Sequence, residues 1–470
     1  MKQLLMATSL MAALTLSAPA EQTDLTLLRQ GEQVAIASDC QACHTAPGSA
    51  TAFSGGYAIA SPMGVIYSTN ITPSADGIGP YSEAEFSQAV RHGVRADGAQ
   101  LYPAMPYTSY SKITDEDLHA LYYYFMHGVK PVEQKNRQTS LPFPFNLRFS
   151  MFFWNLMFAD DKPYLSDDSQ SAEWNRGNYL VNGLAHCNTC HTPRGVLMQE
   201  AGNRPLAGAP IGSWYAPNIT SDAISGIGGW RNDELVQYLK TGRAEGKNQA
   251  AGGMAEAVEH SLQYLSDSDL KAIAVYLKST TPIRDEGDTQ PAYSFGKPAD
   301  VENSIRGRNA NNANHSLTNG AALFSGNCAS CHQPDGAGSA NQAYPSLFHN
   351  TATGMHNPAN LIAAILFGVQ RNTAAGQVLM PGFSSPSYVD KLSDAQVADI
   401  SNFVLAHYGN PEVTVSADDV AWVRQGGHPP LLARAQPWIM PGIVALIVIL
   451  LAVCAGLTWR RRRRIARDNG

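Results

Sequence analysis

Cys40-Gln-Ala-Cys43-His44, Cys187-Asn-Thr-Cys190-His191 and Cys328-Ala-Ser-Cys331-His332 decide how this chain of 470 residues is to be read. Six of its seven cysteines fall in these three copies of one pattern. A Cys-x-x-Cys pair alone could close a disulfide in an oxidising compartment, act as a thiol redox pair or supply half a zinc site. The histidine directly after the second thiol separates these possibilities. On a helical turn residues i, i+3 and i+4 share one face. Both thiols can then form thioether bonds to the vinyl groups of a heme while the imidazole beneath coordinates its iron. The pattern implies three covalently bound heme c groups, on Cys40 and Cys43, Cys187 and Cys190, and Cys328 and Cys331. His44, His191 and His332 are their axial ligands. A proline follows each histidine closely, at Pro47, Pro193 and Pro334. A backbone carbonyl there is one candidate acceptor for the histidine Nδ1 hydrogen; a plain turn is the other reading.

Working outward, the motifs lie 147 and 141 residues apart, and their flanks repeat. Glycine sits in a helical pattern before each one, at Gly31, Gly177 and Gly320. After the first two, Asn70-Ile71-Thr72 matches Asn218-Ile219-Thr220, and Gly77-Ile78-Gly79 matches Gly226-Ile227-Gly228. Tyr81 to Phe86 then aligns with Trp230 to Leu235, each opening an amphipathic helix. The third unit is shorter and lacks the Asn-Ile-Thr loop. Each unit closes on a helix with a capping-box-like start at Thr114, Ser266 or Ser393. Leu118, Leu121, Tyr122 and Phe125, then Leu270, Ile273, Ala274 and Leu277, then Val397, Ile400 and Val404, follow at helical spacing and read as core.

Iron needs a sixth ligand. Between the middle and closing helices each unit carries one methionine in a Pro- or Gly-rich loop: Met105 before Pro106, Met254 after Gly252-Gly253, and Met380 before Pro381. A thioether opposite histidine raises the reduction potential and closes the iron to small molecules. His260 lies near Met254, and Met63, Met198, Met355 and His92 are further competitors, expected in packing or surface roles.

The resulting division is a signal peptide at 1–20, heme units at 24–135, 172–282 and 313–410, and a membrane helix at 438–459. An aromatic-rich stretch at 136–171 and a polar linker at 283–312 separate the units, a spacer fills 411–437, and a basic tail occupies 460–470. The stretch at 136–171 holds Phe149, Phe152, Phe153, Trp154 and Phe158, too many aromatics for a solvated linker, so packing between units, a partner subunit or the bilayer must cover it. At the amino end Lys2 precedes an apolar run, and Ala18-Pro19-Ala20 suits a signal peptidase, which implies export. At the other end Ile439–Thr458 is charge-free over 20 residues, enough at about 1.5 Å each for the roughly 30 Å hydrocarbon core. Trp438 and Trp459 flank it, and Arg460 to Arg464 follow, which holds that end in the cytoplasm and the heme units in the periplasm of a bacterial inner membrane. Cys454, within this run, reads as a small apolar residue.

Composition supports a folded chain, with 44% hydrophobic and 15% charged residues. Setting aside Lys2 and the tail's six arginines and Asp468, residues 21–459 carry 26 basic against 38 acidic residues. That acidic balance excludes nucleic acid as a partner, and no Gly-rich dinucleotide fingerprint is present.

Longer runs add a resemblance. Asp39-Cys40-Gln-Ala-Cys43-His44-Thr45, Ile66-Tyr67-Ser-Thr-Asn-Ile-Thr-Pro73 and Ala89-Val-Arg-His-Gly93 are joined by Leu101-Tyr-Pro-Ala-Met105-Pro106, Tyr124-Phe-Met-His-Gly-Val-Lys-Pro131 and His191-Thr-Pro-Arg194. From about residue 25 to about 425 the chain resembles the triheme cytochrome c subunit of membrane-bound bacterial dehydrogenases that oxidise alcohols, gluconate and other sugar acids, polyols or aldehydes. The resemblance implies an all-α fold of three tandem class I-like cytochrome c domains plus one C-terminal transmembrane helix. It also implies an electron-transfer subunit with no catalysis on organic substrate by itself. Its partners would be a catalytic dehydrogenase subunit of flavin, PQQ or molybdenum type, and ubiquinone or a downstream cytochrome or oxidase. Some members lack so plain a membrane helix. A cytochrome c subunit of a terminal oxidase and a self-sufficient heme enzyme are the competing readings.

Overall fold

Hydroxyl side chains start the closing helices. Thr114 accepts from Asp117 N–H, Ser266 from Asp269 N–H and Ser393 from Gln396 N–H, opening Asp115–His127, Asp267–Ser279 and Asp394–Tyr408. Only at Ser393 does the fourth residue answer, Gln396 accepting the cap's own N–H and completing a reciprocal box. The stripes beneath are core: Leu118, Leu121 and Phe125, Leu270, Ile273, Ala274 and Leu277, and Val397, Ile400 and Val404 are all buried, while Tyr122 is half-buried.

The computed structural model describes residues 18–305 and 319–468. Most of the expected leader, part of the 283–312 linker and the start of the third unit lie outside the described residues. Against each closing helix packs the helix that precedes the heme motif: Ala18–Ala37, Ala172–Tyr179 and Gly320–Asn327. The repeated glycines permit that crossing. A Cβ at Gly31 would stand 2.0 Å from Ala120 O, at Gly177 2.0 Å from Ala272 O and at Gly320 2.4 Å from Asp399 O. The backbones touch at that point, and no larger residue fits there.

The fold is largely helical but not purely so. Four two-stranded antiparallel hairpins appear among the described residues, at 58–67, 209–216, 243–249 and 369–380. The last pairs Val369 with Met380, so Met380 ends a strand rather than sitting in an irregular loop. Units one and two share one continuous apolar core, and the third has its own. Tyr179 joins the first two, donating to Asp117 Oδ2 at 2.7 Å.

Units two and three interlock through Arg371, 1% exposed, whose guanidinium donates to Ala250 O and Gln249 Oε1. Asn360 also brackets the backbone of Tyr215, accepting from its N–H at 2.9 Å and donating to its O at 2.8 Å.

Two connecting stretches are more structured than expected. Within 283–312, Tyr293 packs edge-on to Trp230, and Val301 and Ile305 are buried in the third core. The expected spacer 411–437 carries a helix, Ala417–Arg424, that lays Val420 and Val423 on the third unit. Arg424 fixes it there through Asp394 at 2.7 Å and Ser384 at 2.6 Å. The helix Leu431–Asp468 contains the apolar run and extends beyond it at both ends; among the described residues it is the one helix long and apolar enough to cross a membrane.

Candidate heme sites

Each Cys-x-x-Cys-His stretch forms a short helical turn, Cys40–His44, Asn188–His191 and Ala329–His332, which sets thiols and imidazole on one face. A turn of π-helix, Leu180–Leu184, leads into the second. All seven cysteines are unpaired. Burial pushes the thiols of Cys40, Cys43, Cys187 and Cys328 up to about 12 and raises Cys190. Such neutral thiols do not suit the thiolate cage of a zinc ion.

The three histidines share one hydrogen-bond geometry. Nδ1 of His44 donates to Thr69 O at 2.7 Å, that of His191 to Pro217 O at 2.7 Å, and that of His332 to Pro345 O at 2.9 Å. Burial lowers the affinity of all three rings for a second proton. A neutral ring with its proton fixed on Nδ1 keeps the Nε2 lone pair for a metal. The acceptors are not the carbonyls beside Pro47, Pro193 and Pro334 but ones 25, 26 and 13 residues from the histidine. In the first two units the reason lies in the repeated Asn-Ile-Thr. Asn70 and Asn218 directly follow the acceptor residues, and each takes two hydrogen bonds on Oδ1 from Thr72 or Thr220 two residues on. Asn218 Nδ2 also donates to Ile283 O at 2.7 Å. The loop is thereby locked with its preceding carbonyl beneath the ring. Asn218→Ala should lower the unfolding midpoint of the heme-loaded chain, at a cost of about 1–3 kcal/mol, because it leaves the fully buried Thr220 N–H without a partner. An unchanged midpoint would mean that the Pro217 carbonyl is held by other contacts.

Around the second and third motifs opens one apolar cavity of about 520 Å³. It is lined by Cys187, Cys190, His191 and Met254 of the second unit and by Cys328, His332 and Met380 of the third. The structure thus brings both of these methionines to the one cavity that His191 and His332 also line. His260, at the far end of the helix that Met254 begins, is not among the lining residues, whereas Met355 is. Met105 and Cys40 pack on the shared core of the first two units. His92 is half-buried and paired with Asp161 at 3.0 Å, Met63 lies in the turn of the first hairpin, and Met198 in a loop turn at φ 66°. The sites follow one another closely: Asp39, which precedes the first motif, lines the cavity of the second, and Cys43 lies within electrostatic reach of Cys190.

These features fit heme c: paired unbridged thiols, an oriented neutral imidazole and, at the second and third motifs, a thioether at hand in an apolar cavity. Comparison with known proteins agrees. A cytochrome c family model matches residues 317–407, and a model of cbb3-type cytochrome c oxidase subunit III matches 26–125. The chain is 49% identical to the fructose dehydrogenase cytochrome subunit of Gluconobacter japonicus, across 93% of this chain and 92% of that one. It is 41% identical to the cytochrome c subunit of the quinone alcohol dehydrogenase of Gluconacetobacter polyoxogenes, over 90% and 89% of the two chains. It is 40% identical to the gluconate 2-dehydrogenase cytochrome c subunit of Pantoea cypripedii, over 86% and 91%. Three relatives of different substrate thus match nearly end to end, and the chain belongs to the family of cytochrome c subunits of bacterial dehydrogenases.

Proposed function

We propose that this chain is the electron-transfer subunit of a membrane-bound dehydrogenase, taking single electrons from a separate catalytic subunit and passing them to ubiquinone or onward into the respiratory chain. The observation that carries this reading is near full-length identity to the cytochrome subunits of dehydrogenases acting on a sugar, an alcohol and a sugar acid. The catalytic partner would be of flavin, PQQ or molybdenum type. Heme c supplies one-electron carriage when bound. Cys40 and Cys43, Cys187 and Cys190, and Cys328 and Cys331 would hold three such groups. His44 with Met105, His191 with Met254, and His332 with Met380 would ligate their irons.

Support for a group in the second unit comes from its repetition of the first: the same motif, the same locked loop and the same Nδ1 bond. The shared cavity of units two and three, with the nearness of Cys43 to Cys190, favours a continuous relay along the chain. Burial and the Nδ1 bonds keep the ligating rings neutral and fixed, which limits reorganisation when an electron arrives. The heme units would stand in the periplasm, anchored by Leu431–Asp468 in the inner membrane with the arginine-rich end in the cytoplasm.

One observation favours a terminal-oxidase subunit instead: the match of residues 26–125 to the oxidase subunit III model. That match covers one unit, while the dehydrogenase subunits account for the whole series of repeats. Deleting this chain from its host separates the two readings. Extracts should keep substrate oxidation with a phenazine dye as acceptor but lose substrate-driven reduction of a ubiquinone analogue. Loss of terminal oxidase activity with quinone reduction intact would favour the oxidase reading.

A further inference from the structure

Ser150–Phe158 is a two-faced helix turned inside out. Its inner face is attached by polar groups: Trp154 donates to Leu197 O at 2.9 Å, and Asn155 accepts from Tyr107 Oη at 2.8 Å and donates to Gln100 Oε1 at 3.2 Å. Its outer face is wholly apolar. Phe149, Phe152, Phe153, Leu156 and Met157 recur at helical spacing and are 56–76% exposed, with Val196 63% exposed on the adjoining loop. An apolar patch of this kind on a soluble surface marks a place that something covers.

Gln436 indicates what covers it. It donates to Phe143 O at 2.8 Å, and it stands two residues before Trp438, at the end of the long apolar helix opposite Arg460–Arg464. From Phe143 to Ser150 the chain advances by successive tight turns, about 2 Å per residue, so the two-faced helix begins within roughly 14 Å of that tie. A docking face for a second protein carries polar groups amid its apolar area, and the five outer residues here include none. An apolar face beside the entry of a membrane span, with polar attachments on its other side, is the arrangement of a helix lying in the lipid interface. We infer that Ser150–Phe158 is a second, interfacial anchor, its outer face sunk in the periplasmic leaflet of the membrane that Leu431–Asp468 crosses. Through Gln100 and Tyr107 the same helix braces the loop that carries Met105. The inference rests on the reading of Leu431–Asp468 as a membrane span.

The test uses the full heme-loaded chain with Cys454→Ser, in vesicles of phosphatidylethanolamine and phosphatidylglycerol. A nitroxide is placed in turn at Phe153→Cys, at Leu450→Cys within the span and at Glu116→Cys on the exposed start of a closing helix. Collision rates with oxygen, which concentrates in lipid, are compared with those of a water-soluble nickel chelate. The Phe153 label should lose its nickel collisions and gain oxygen collisions relative to the Glu116 label, with the heme spectrum unchanged. If the Leu450 label lies in lipid and the Phe153 label in water, the interfacial anchor is overturned while the span stands. A Leu450 label in water overturns both. A Phe153 label that is wet in vesicles and protected only after the catalytic subunit is added makes the face a protein interface and also overturns the inference.

Discussion

Mixed with an alcohol, a sugar acid or an aldehyde, the isolated chain should remain oxidised; mixed with the same substrate and its catalytic subunit, it should become reduced and then pass electrons to a ubiquinone analogue. The expectation follows from what the side chains can do. Oxidation of an alcohol or a hydroxy acid removes two electrons and needs a base or a hydride acceptor at the reacting carbon. The three motif histidines are not placed to serve as bases, because Nδ1 already donates to a carbonyl and Nε2 would be taken by the iron of the proposed heme. Methionines on the opposite side would close each iron to a substrate. Stopped-flow absorption with and without the catalytic subunit measures the difference, which should be all or none. Reduction of the chain alone by substrate would overturn the assignment. Reduction that never reaches quinone would shift the acceptor to another cytochrome or to an oxidase.

What could be read from the sequence was what is local. Cys-x-x-Cys-His, the caps at Thr114, Ser266 and Ser393, and the apolar stripes behind them depend on residues three or four apart, and the structure keeps each of them. The repeated glycines were visible as a pattern, but their reason, contact with the backbone of a helix about 80–95 residues away, was not. Nor was the carbonyl that orients each histidine, although the Asn-Ile-Thr repeat that locks it in two units is plain in the sequence. The polar character of 283–312 points to an exposed linker, whereas three of its apolar residues, Tyr293, Val301 and Ile305, pack against the units on either side. Arg371 shows the limit most clearly. A lone arginine in a polar hairpin reads as surface, yet it is buried because the neighbouring unit offers the carbonyl of Ala250.

Replacing Met254 or Met380 by alanine should change one heme at a time and leave the count at three. In the denatured, unmodified chain that count tests the covalent attachment, since heme held by thioether bonds survives acid extraction. In the folded chain each thioether ligand should contribute a weak sulfur-to-iron band at the red edge of the oxidised spectrum. Met380→Ala should abolish it for one heme, admit carbon monoxide to the reduced iron, and lower that site's potential by a sizeable fraction of the roughly 0.8 V that axial ligands command. Met254→Ala should do the same for the second unit, with His260→Ala as a silent control. Met355→Ala is the more searching control, because Met355 lines the same cavity as His332 and Met380. Met380 ends a strand paired with Val369, and the chain then turns through Pro381 and Gly382, where a Cβ would stand 2.6 Å from the Phe367 backbone. That rigidity fixes the position of a ligand, whereas Met355 follows only a single helical turn at Thr351–Gly354. A band that survives Met380→Ala and disappears with Met355→Ala would move the third ligand to Met355 and would leave His332 and its Pro345 bond as the fixed half of the site.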